Sequence, residues 1–132
     1  MAAMFELIEK NSLHALPDGY EFLVHLKWYR SLPLSSVVKV QLKLDDEPVD
    51  PEQISFGVND HVYRLKDLGD HYEEFWFVQD GARLIVKQPG KIATGETHTI
   101  WAEITLRYPY IPIGPNQFLT TATQYSSSQV AA

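Results

Sequence analysis

Cysteine is absent from the 132-residue chain. Disulfide scaffolds, thiol nucleophiles and thiolate metal sites are excluded with it. The absence fits a reducing cytoplasm and equally a cysteine-free secreted domain. Long hydrophobic runs are missing too. Runs such as Phe75–Val78 stop at about four or five residues against the ~20 of a spanning helix. The segment from Tyr108 to Ala132 carries no charge, yet its prolines and its Thr, Ser and Gln side chains keep it out of a bilayer. After Met1–Phe5 come Glu6, Glu9 and Lys10, with no basic start and no apolar core of the ~7–15 residues that a leader needs. The expectation is a cytoplasmic chain with no membrane segment. Basic residues are scarce: 11 Lys and Arg stand against 17 Asp and Glu, a formal charge of −6. With no basic cluster, tracking of nucleic-acid phosphates is disfavoured. Helical periodicity, a Gly-x-Ser-x-Gly elbow and a glycine-rich phosphate loop are also lacking.

What is present is alternation. Hydrophobic residues make up 45% and charged residues 21%, ordinary globular usage, and the length suits one domain. In Tyr20–Tyr29, Phe22, Val24, Leu26 and Trp28 share one face, with Glu21, His25 and Lys27 on the other. Val37–Leu44 sets Val38, Val40, Leu42 and Leu44 against Lys39, Gln41 and Lys43. Thr97–Arg107 sets Ile100, Ala102, Ile104 and Leu106 against Thr99, Trp101, Glu103 and Thr105. Period two buries one side of a sheet. Asp45–Pro48 supplies a turn, and Asn59–Asp60 between Ile54–Val58 and His61–Leu65 reads as a tight hairpin. Lys66–Asp70 reads as one helical turn. Phe75–Val78 and Ala82–Lys87 read as short strands joined at Asp80–Gly81, and Phe118–Gln124 as an edge strand.

About seven to nine strands at roughly 8–12-residue spacing predict an all-β, two-sheet antiparallel sandwich, immunoglobulin-like or jelly-roll-like. The predicted domain is a single sandwich over residues 1–132. Its core runs from about 13 to 124, and the tail 125–132 frays.

Catalytic candidates are few. His14, His25, His61, His71 and His98 are scattered, with no i, i+4 metal spacing. His71 with Glu73 and Glu74 comes closest to a ligand set, but a charged turn is solvated by default. His25 and His61 read as exposed sheet positions, and Asp45, Asp46 and Glu47 as a solvated turn. No catalytic or metal-binding residue is predicted in this chain.

Two segments stand apart. Trp28, Tyr29, Arg30, Leu32, Pro33 and Leu34 end a strand and continue as an apolar loop. Tyr108, Tyr110, Ile111 and Pro112 lie in a proline-stiffened run without charge. Stiff loops cost little entropy to order, and Tyr, Trp and Arg are favoured in hot spots. The two segments read either as caps on the open ends of the sandwich or as contacts with a partner or ligand. Two further roles stay open for the whole domain. One is a carbohydrate-binding module with Trp28, Trp76 and Trp101 as a stacking platform. The other is a structural immunoglobulin-like module.

The same segments carry a family resemblance. Tyr29-Arg30-x-x-Pro33-Leu34-Ser35, a Val-Val-Lys-Val-Gln-Leu strand, Asp45-Asp46-Glu47-Pro48-Val49 and Ile54-Ser55-Phe56 occur in order. Tyr63-Arg64-Leu65-Lys66-Asp67-Leu68, Ala82-Arg83-Leu84-Ile85-Val86, Pro89-Gly90 and Tyr108-Pro109-Tyr110-Ile111-Pro112 follow. This pattern of many weak matches, over roughly residues 13–124, resembles the small β subunit of the bacterial C-glycoside deglycosidases. The charged His71–Glu74 stretch and the uncharged tail depart from it and leave substrate preference open.

The resemblance implies a β-sandwich that pairs with a larger TIM-barrel α subunit, similar to sugar-phosphate isomerases and epimerases, in a higher hetero-oligomer. It places a divalent metal, manganese, in the α subunit and no cofactor here. The implied complex is a carbon–carbon lyase. It cleaves flavonoid or anthraquinone C-glucosides whose sugar another enzyme has oxidised to the 3-oxo form. The isolated chain is expected to be inactive, with the two aromatic segments at the partner interface bracing the pocket.

Overall fold

The computed structural model describes residues 6–26, 31–77 and 79–132. Its strands are β1 (His14–Leu16), β2 (Gly19–Val24), β3 (Leu32–Pro33), β4 (Val37–Leu44), β5 (Glu47–Pro48) and β6 (Ile54–Val58). There follow β7 (His61–Arg64), β8 (Phe75–Trp76), β9 (Ala82–Val86), β10 (Thr97–Gly114) and β11 (Gln117–Val130). They form a five-stranded sheet in the order β1-β2-β9-β6-β7, a four-stranded sheet in the order β11-β10-β4-β5, and a ribbon of β3 with β8. The expected all-β antiparallel sandwich is thus the observed one. Among the described residues, helical structure is confined to three 3₁₀ turns, Leu34–Ser36, Pro51–Gln53 and Leu65–Asp70.

Alternation explains the core. Phe22, Val24, Phe56, Leu84 and Val86 of the larger sheet join Val40, Leu42, Leu44, Ile100, Ala102 and Ile104 of the other in one buried cluster. The register is direct: Val40 faces Ile104, Leu42 faces Ala102 and Leu44 faces Ile100. The turns follow from their residues as well. Asn59 and Asp60 take φ of 53° and 66°, and Asp45 and Asp46 take 51° and 68°. Two consecutive positive φ values make the reversal whose twist matches a hairpin, and Asn and Asp tolerate them.

Four expectations are corrected. Val38 does not face the core. Pairing jumps from Thr105–Lys39 to Leu106–Val37, so one residue of β4 bulges out and the alternation breaks. Val37 is 5% exposed and Val38 56%. His25 is buried rather than exposed, because the preceding segment adds an Ile8–Val24 bridge beside β2, and the His25 amide donates to the Leu7 carbonyl. Phe75–Trp76 pairs with Leu32–Pro33, not with the strand after Asp80–Gly81; Val78 lies outside the described residues.

The tail is not frayed, which is the fourth correction. Ser126–Val130 continues β11 against Thr97–Trp101. Beyond it, the Ala131 amide donates to Glu96 and the Ala132 amide to Leu13, while Gly95 and Ala15 donate back to them. Leu7, Ile8 and Ala131 consequently belong to the core, which extends past residues 13–124 at both ends.

Candidate partner interface

The four-stranded sheet does not end evenly. β4 stops pairing with β10 at Val37–Leu106, while β10 and β11 run on to Gly114–Gln117. Residues 107–120 therefore form a two-stranded arm extending past β4. The arm bends twice, where pairing jumps from Tyr108–Leu119 to Pro112–Phe118 and again to Gly114–Gln117. Asn116 closes its tip at φ 57°. A proline cannot donate to a ladder, so Pro109, Pro112 and Pro115 fit an irregular arm better than a sheet interior.

The arm divides its side chains. Tyr108 is buried at its base, and its hydroxyl lies 2.8 Å from Thr121 Oγ1. Ile111 and Leu119 pack on the core. Tyr110 and Ile113 turn outward, 37% and 62% exposed, with Pro112 exposed between them. The Tyr110 ring stands edge-on to Tyr108 at 6.5 Å. An arm held inside by one tyrosine thus offers another to the outside. Residues 108–115 are a strand, bulge and turn rather than the free loop expected.

The other segment meets it from within. The turn Leu34–Ser36 lies against β10, and Leu32 sits opposite Trp76. Leu32 and Leu34 are fully buried and Pro33 half-buried. Of the expected contact residues, Leu32, Leu34 and Tyr108 therefore brace the fold from inside rather than present a surface. Trp28, Tyr29 and Arg30 lie outside the described residues.

A second group of exposed aromatics escaped the sequence reading: Tyr72, Phe75 and Phe77, 69%, 39% and 49% exposed. They flank a polar cluster built on Glu74. Its carboxylate accepts from the Tyr63 hydroxyl, lies 2.8 Å from His61 Nδ1 and accepts from Asn59 Nδ2 at 3.3 Å. Asn59 also donates to the Phe75 carbonyl at 2.8 Å. The His71 ring stacks on Tyr63 at 4.1 Å. Opposite Val58 and Phe56, His61 and Tyr63 occupy the core-side face of β7, so this cluster closes one open side of the sandwich. Burial alone would raise the Glu74 pKa, but hydrogen bonds from Tyr63, His61 and Asn59 outweigh it and hold the carboxyl below its usual range. The same Glu74 contact raises the Tyr63 phenol. A stabilised carboxylate is a weak base and a raised phenol a weak acid. A hollow of about 330 Å³ beside them is lined by Asp70, His71, Tyr72, Glu73 and Glu74. Among the described residues, no three His, Asp or Glu side chains converge as metal ligands.

A second polar site is His98, whose Nδ1 lies 2.6 Å from Asp45 and Nε2 3.2 Å from Glu96. The Asp45 hydrogen bond, reinforced by Glu96, raises the imidazole pKa against the opposing effect of burial. Asp45 also caps the Thr99 amide at 2.8 Å, and Glu96 caps the Ala93 amide. Both carboxylates are spent on holding turns. The tryptophan platform finds no support either. Trp76 is buried against Phe56 with its indole N–H on the Asp80 carbonyl, and Lys43 lies over Trp101 at 5.0 Å.

The sequence profile of one family, described as C-glycoside deglycosidase beta subunit, matches residues 6–110. The chain belongs to that family. Its relatives agree. The 3′-dehydrocarminate deglycosidase beta subunit of a Microbacterium species is 33% identical over 107 residues, 81% of this chain and 80% of its own. A C-glycoside deglycosidase beta subunit of Arthrobacter globiformis is 28% identical over 119 residues, 90% of each chain. One from Microbacterium trichothecenolyticum is 26% identical over 113 residues, 86% of this chain and 85% of its own. This beta subunit is therefore one component of a C-glycoside deglycosidase complex. The profile match ends at Tyr110, inside the arm, so the arm's tip and all of β11 lie beyond it.

Proposed function

We propose that this beta subunit is the non-catalytic, pocket-bracing component of a cytoplasmic carbon–carbon lyase, and that its arm docks on a TIM-barrel α subunit carrying the reaction. The observation that carries the reading is the arm itself. It holds an uncharged surface of Tyr110, Pro112 and Ile113 out from a chain with a net charge of −6. Interface centres are poor in charge and rich in aromatics, and a two-stranded ribbon is marginal alone in water.

The chemistry asks for such a division. A C-glycosidic bond has no leaving oxygen to protonate, so two-carboxylate glycosidase chemistry cannot act on it. A ketone at sugar C3 acidifies the C2 proton; a base removes that proton, and an acid protonates the departing aryl carbon. A divalent metal, manganese in this reading, supplies polarisation of the ketone oxygen from the α subunit. The name of the Microbacterium relative specifies a 3′-dehydro compound, which supports a 3-oxo-C-glucoside of the anthraquinone or flavonoid class as substrate. The ionised Glu74, engaged by three neighbours, is ill suited to be the base.

Co-expression with the α subunit tests this. The complex should release aglycone from a 3-oxo-C-glucoside and lose that activity on chelation. The dialysed beta subunit alone should do neither chemistry nor retain manganese. One equivalent of manganese held by the isolated chain through His71, Glu73 or Glu74, together with turnover, would overturn the reading.

A further inference from the structure

The two main sheets have four edges, and three are protected in recognisable ways. β1 is three residues long, and Ala132 bonds the backbone of its Ala15 and of Leu13 just before it. β7 carries Arg64 and is flanked by the Glu74 segment through His61, Tyr63 and Asn59. β5 is only Glu47–Pro48, a carboxylate and a proline. Short strands, charge, proline and a covering segment are the ordinary defences of a sheet edge.

β11 is long and lacks charge and proline, and the N-terminal segment touches it only through side chains, Glu6 on the Tyr125 hydroxyl and Glu9, Ser12 and Leu13 on Gln129. Gln117–Val130 contains no charged residue, no proline and no glycine. From Leu119 to Val130 it pairs residue for residue with Tyr108 to Thr97, without a bulge. Among the described residues, no backbone hydrogen bond from outside the sheet reaches Leu119–Ser127. That leaves roughly 30 Å of regular open edge at ~3.4 Å per residue.

We propose that this edge pairs with the same edge of a second copy, joining two four-stranded sheets across a two-fold axis near Thr123. Electrostatics favours a copy at this place. Two chains of −6 repel wherever their charged faces meet, whereas Leu119–Ser127 itself carries no charge, the carboxylates beside it being Glu103 on the Gln124 amide and Glu6 on the Tyr125 hydroxyl. The antiparallel register is self-complementary: Thr123 faces Thr123, Thr121 faces Tyr125 and Thr120 faces Ser126. Threonine–threonine and aromatic–β-branched pairs are favourable across strands. The contact lies at the sheet edge, apart from the outward-turned Tyr110 and Ile113 of the arm that the α subunit would meet. One complex would then hold two beta subunits back to back.

The proposal does not depend on the catalytic assignment and is measured on the full chain alone. Light scattering across a concentration series should approach twice the 15.1 kDa of one chain. Amide exchange should slow in Leu119–Ser127 as concentration rises. Thr123→Lys, which sets two ammonium groups face to face, should weaken self-association by about tenfold or more. Ala122→Lys, at an exposed position that leaves the core alone, should do the same, with unchanged circular dichroism. A wild-type monomer at every concentration would sink the proposal. So would variants that leave the dimer intact, or that leave self-association unchanged and instead shed the co-expressed α subunit, since β11 would then be receiving that partner. Failure of the beta-subunit reading would show separately, as a wild-type chain that never co-elutes with an α subunit.

Discussion

The side-chain oxygen of Gln129 accepts the backbone N–H of Leu13 at 2.9 Å, joining the last strand to a segment 116 residues earlier. The same oxygen accepts the Ser12 amide at 3.0 Å, and the Gln129 amide nitrogen donates to the Glu9 carbonyl at 2.8 Å. One buried side chain thus satisfies the buried amides of Ser12 and Leu13 and shares the Glu9 carbonyl with the Ser12 hydroxyl.

Replacing it should therefore cost more than a lost surface contact. Gln129→Leu keeps the volume but orphans the Ser12 and Leu13 N–H groups, while the Glu9 carbonyl keeps the Ser12 hydroxyl, for a loss of about 2–4 kcal/mol. Ser128→Ala on the neighbouring exposed position removes only the Thr99 contact and should stay within ~0.5 kcal/mol. Urea denaturation of both variants provides the comparison, and equal midpoints would show that Gln129 is not a structural tie.

The His98 site makes stability pH-dependent in a definite direction. Its folded pKa is raised, chiefly by Asp45 and then by Glu96. Its contribution is therefore full below the ordinary histidine value of about 6.5 and is lost as pH rises through the folded pKa. Asp45, held down by His98 and the Thr99 amide, and Glu96, held down by the Ala93 amide and His98, behave oppositely. Their contributions are present above the ordinary carboxylate range and disappear as pH falls through their depressed values. Midpoints should pass through a maximum between the two ranges. His98→Asn should remove the decline on the alkaline side while leaving much of the acid one, because the backbone caps on Asp45 and Glu96 remain.

The bulge in β4 reverses what simple alternation implies for a single valine. Val38→Lys should change stability by no more than ~0.5 kcal/mol, because Val38 already faces solvent. Val40→Asp, two residues on and opposite Ile104, should cost several kcal/mol by burying an unpaired charge. Thermal melts of the pair, with Lys39→Asp as an exposed reference, decide it. A loss at Val38 as large as at Val40 would mean that the strand is continuous.

How legible all this was in the sequence depended on the range of the interaction. Val40, Leu42, Ile104 and the turns at Asn59–Asp60 and Asp45–Asp46 follow from period two and from residues that accept positive φ, which are local properties. Val38 did not follow, because a bulge is set by the partner strand and leaves the same letters in the sequence. His25 was misplaced because the covering segment Leu7–Glu9 carries too few residues to show a period. The ordered tail was hidden by its composition: Ser126, Ser127 and Ser128 suggest fraying until Thr97–Trp101 are set beside them as a template. The aromatic run from Tyr108 to Ile113 was visible as a candidate contact. Which of its rings turns outward was not, since the kinks of the arm decide that.

That division of the rings is itself testable. Tyr110→Ala and Ile113→Asp change side chains on the arm outside the buried core cluster, so the folded chain should survive both. If the arm docks on the α subunit, each should weaken association by roughly 2 kcal/mol or more, the range of a hot spot at the centre of an interface. Tyr108→Phe should behave differently. Its ring is buried and its hydroxyl meets Thr121 Oγ1 at 2.8 Å, so the variant loses about 1 kcal/mol of stability with near-normal association. Co-purification and size exclusion with the co-expressed α subunit, beside melting temperatures of the isolated variants, separate the two effects. Normal assembly of Tyr110→Ala and Ile113→Asp, with loss of assembly on changing Tyr72 or Phe77, would move the docking surface to the face beside Glu74 and leave the arm as a brace for β10 and β11.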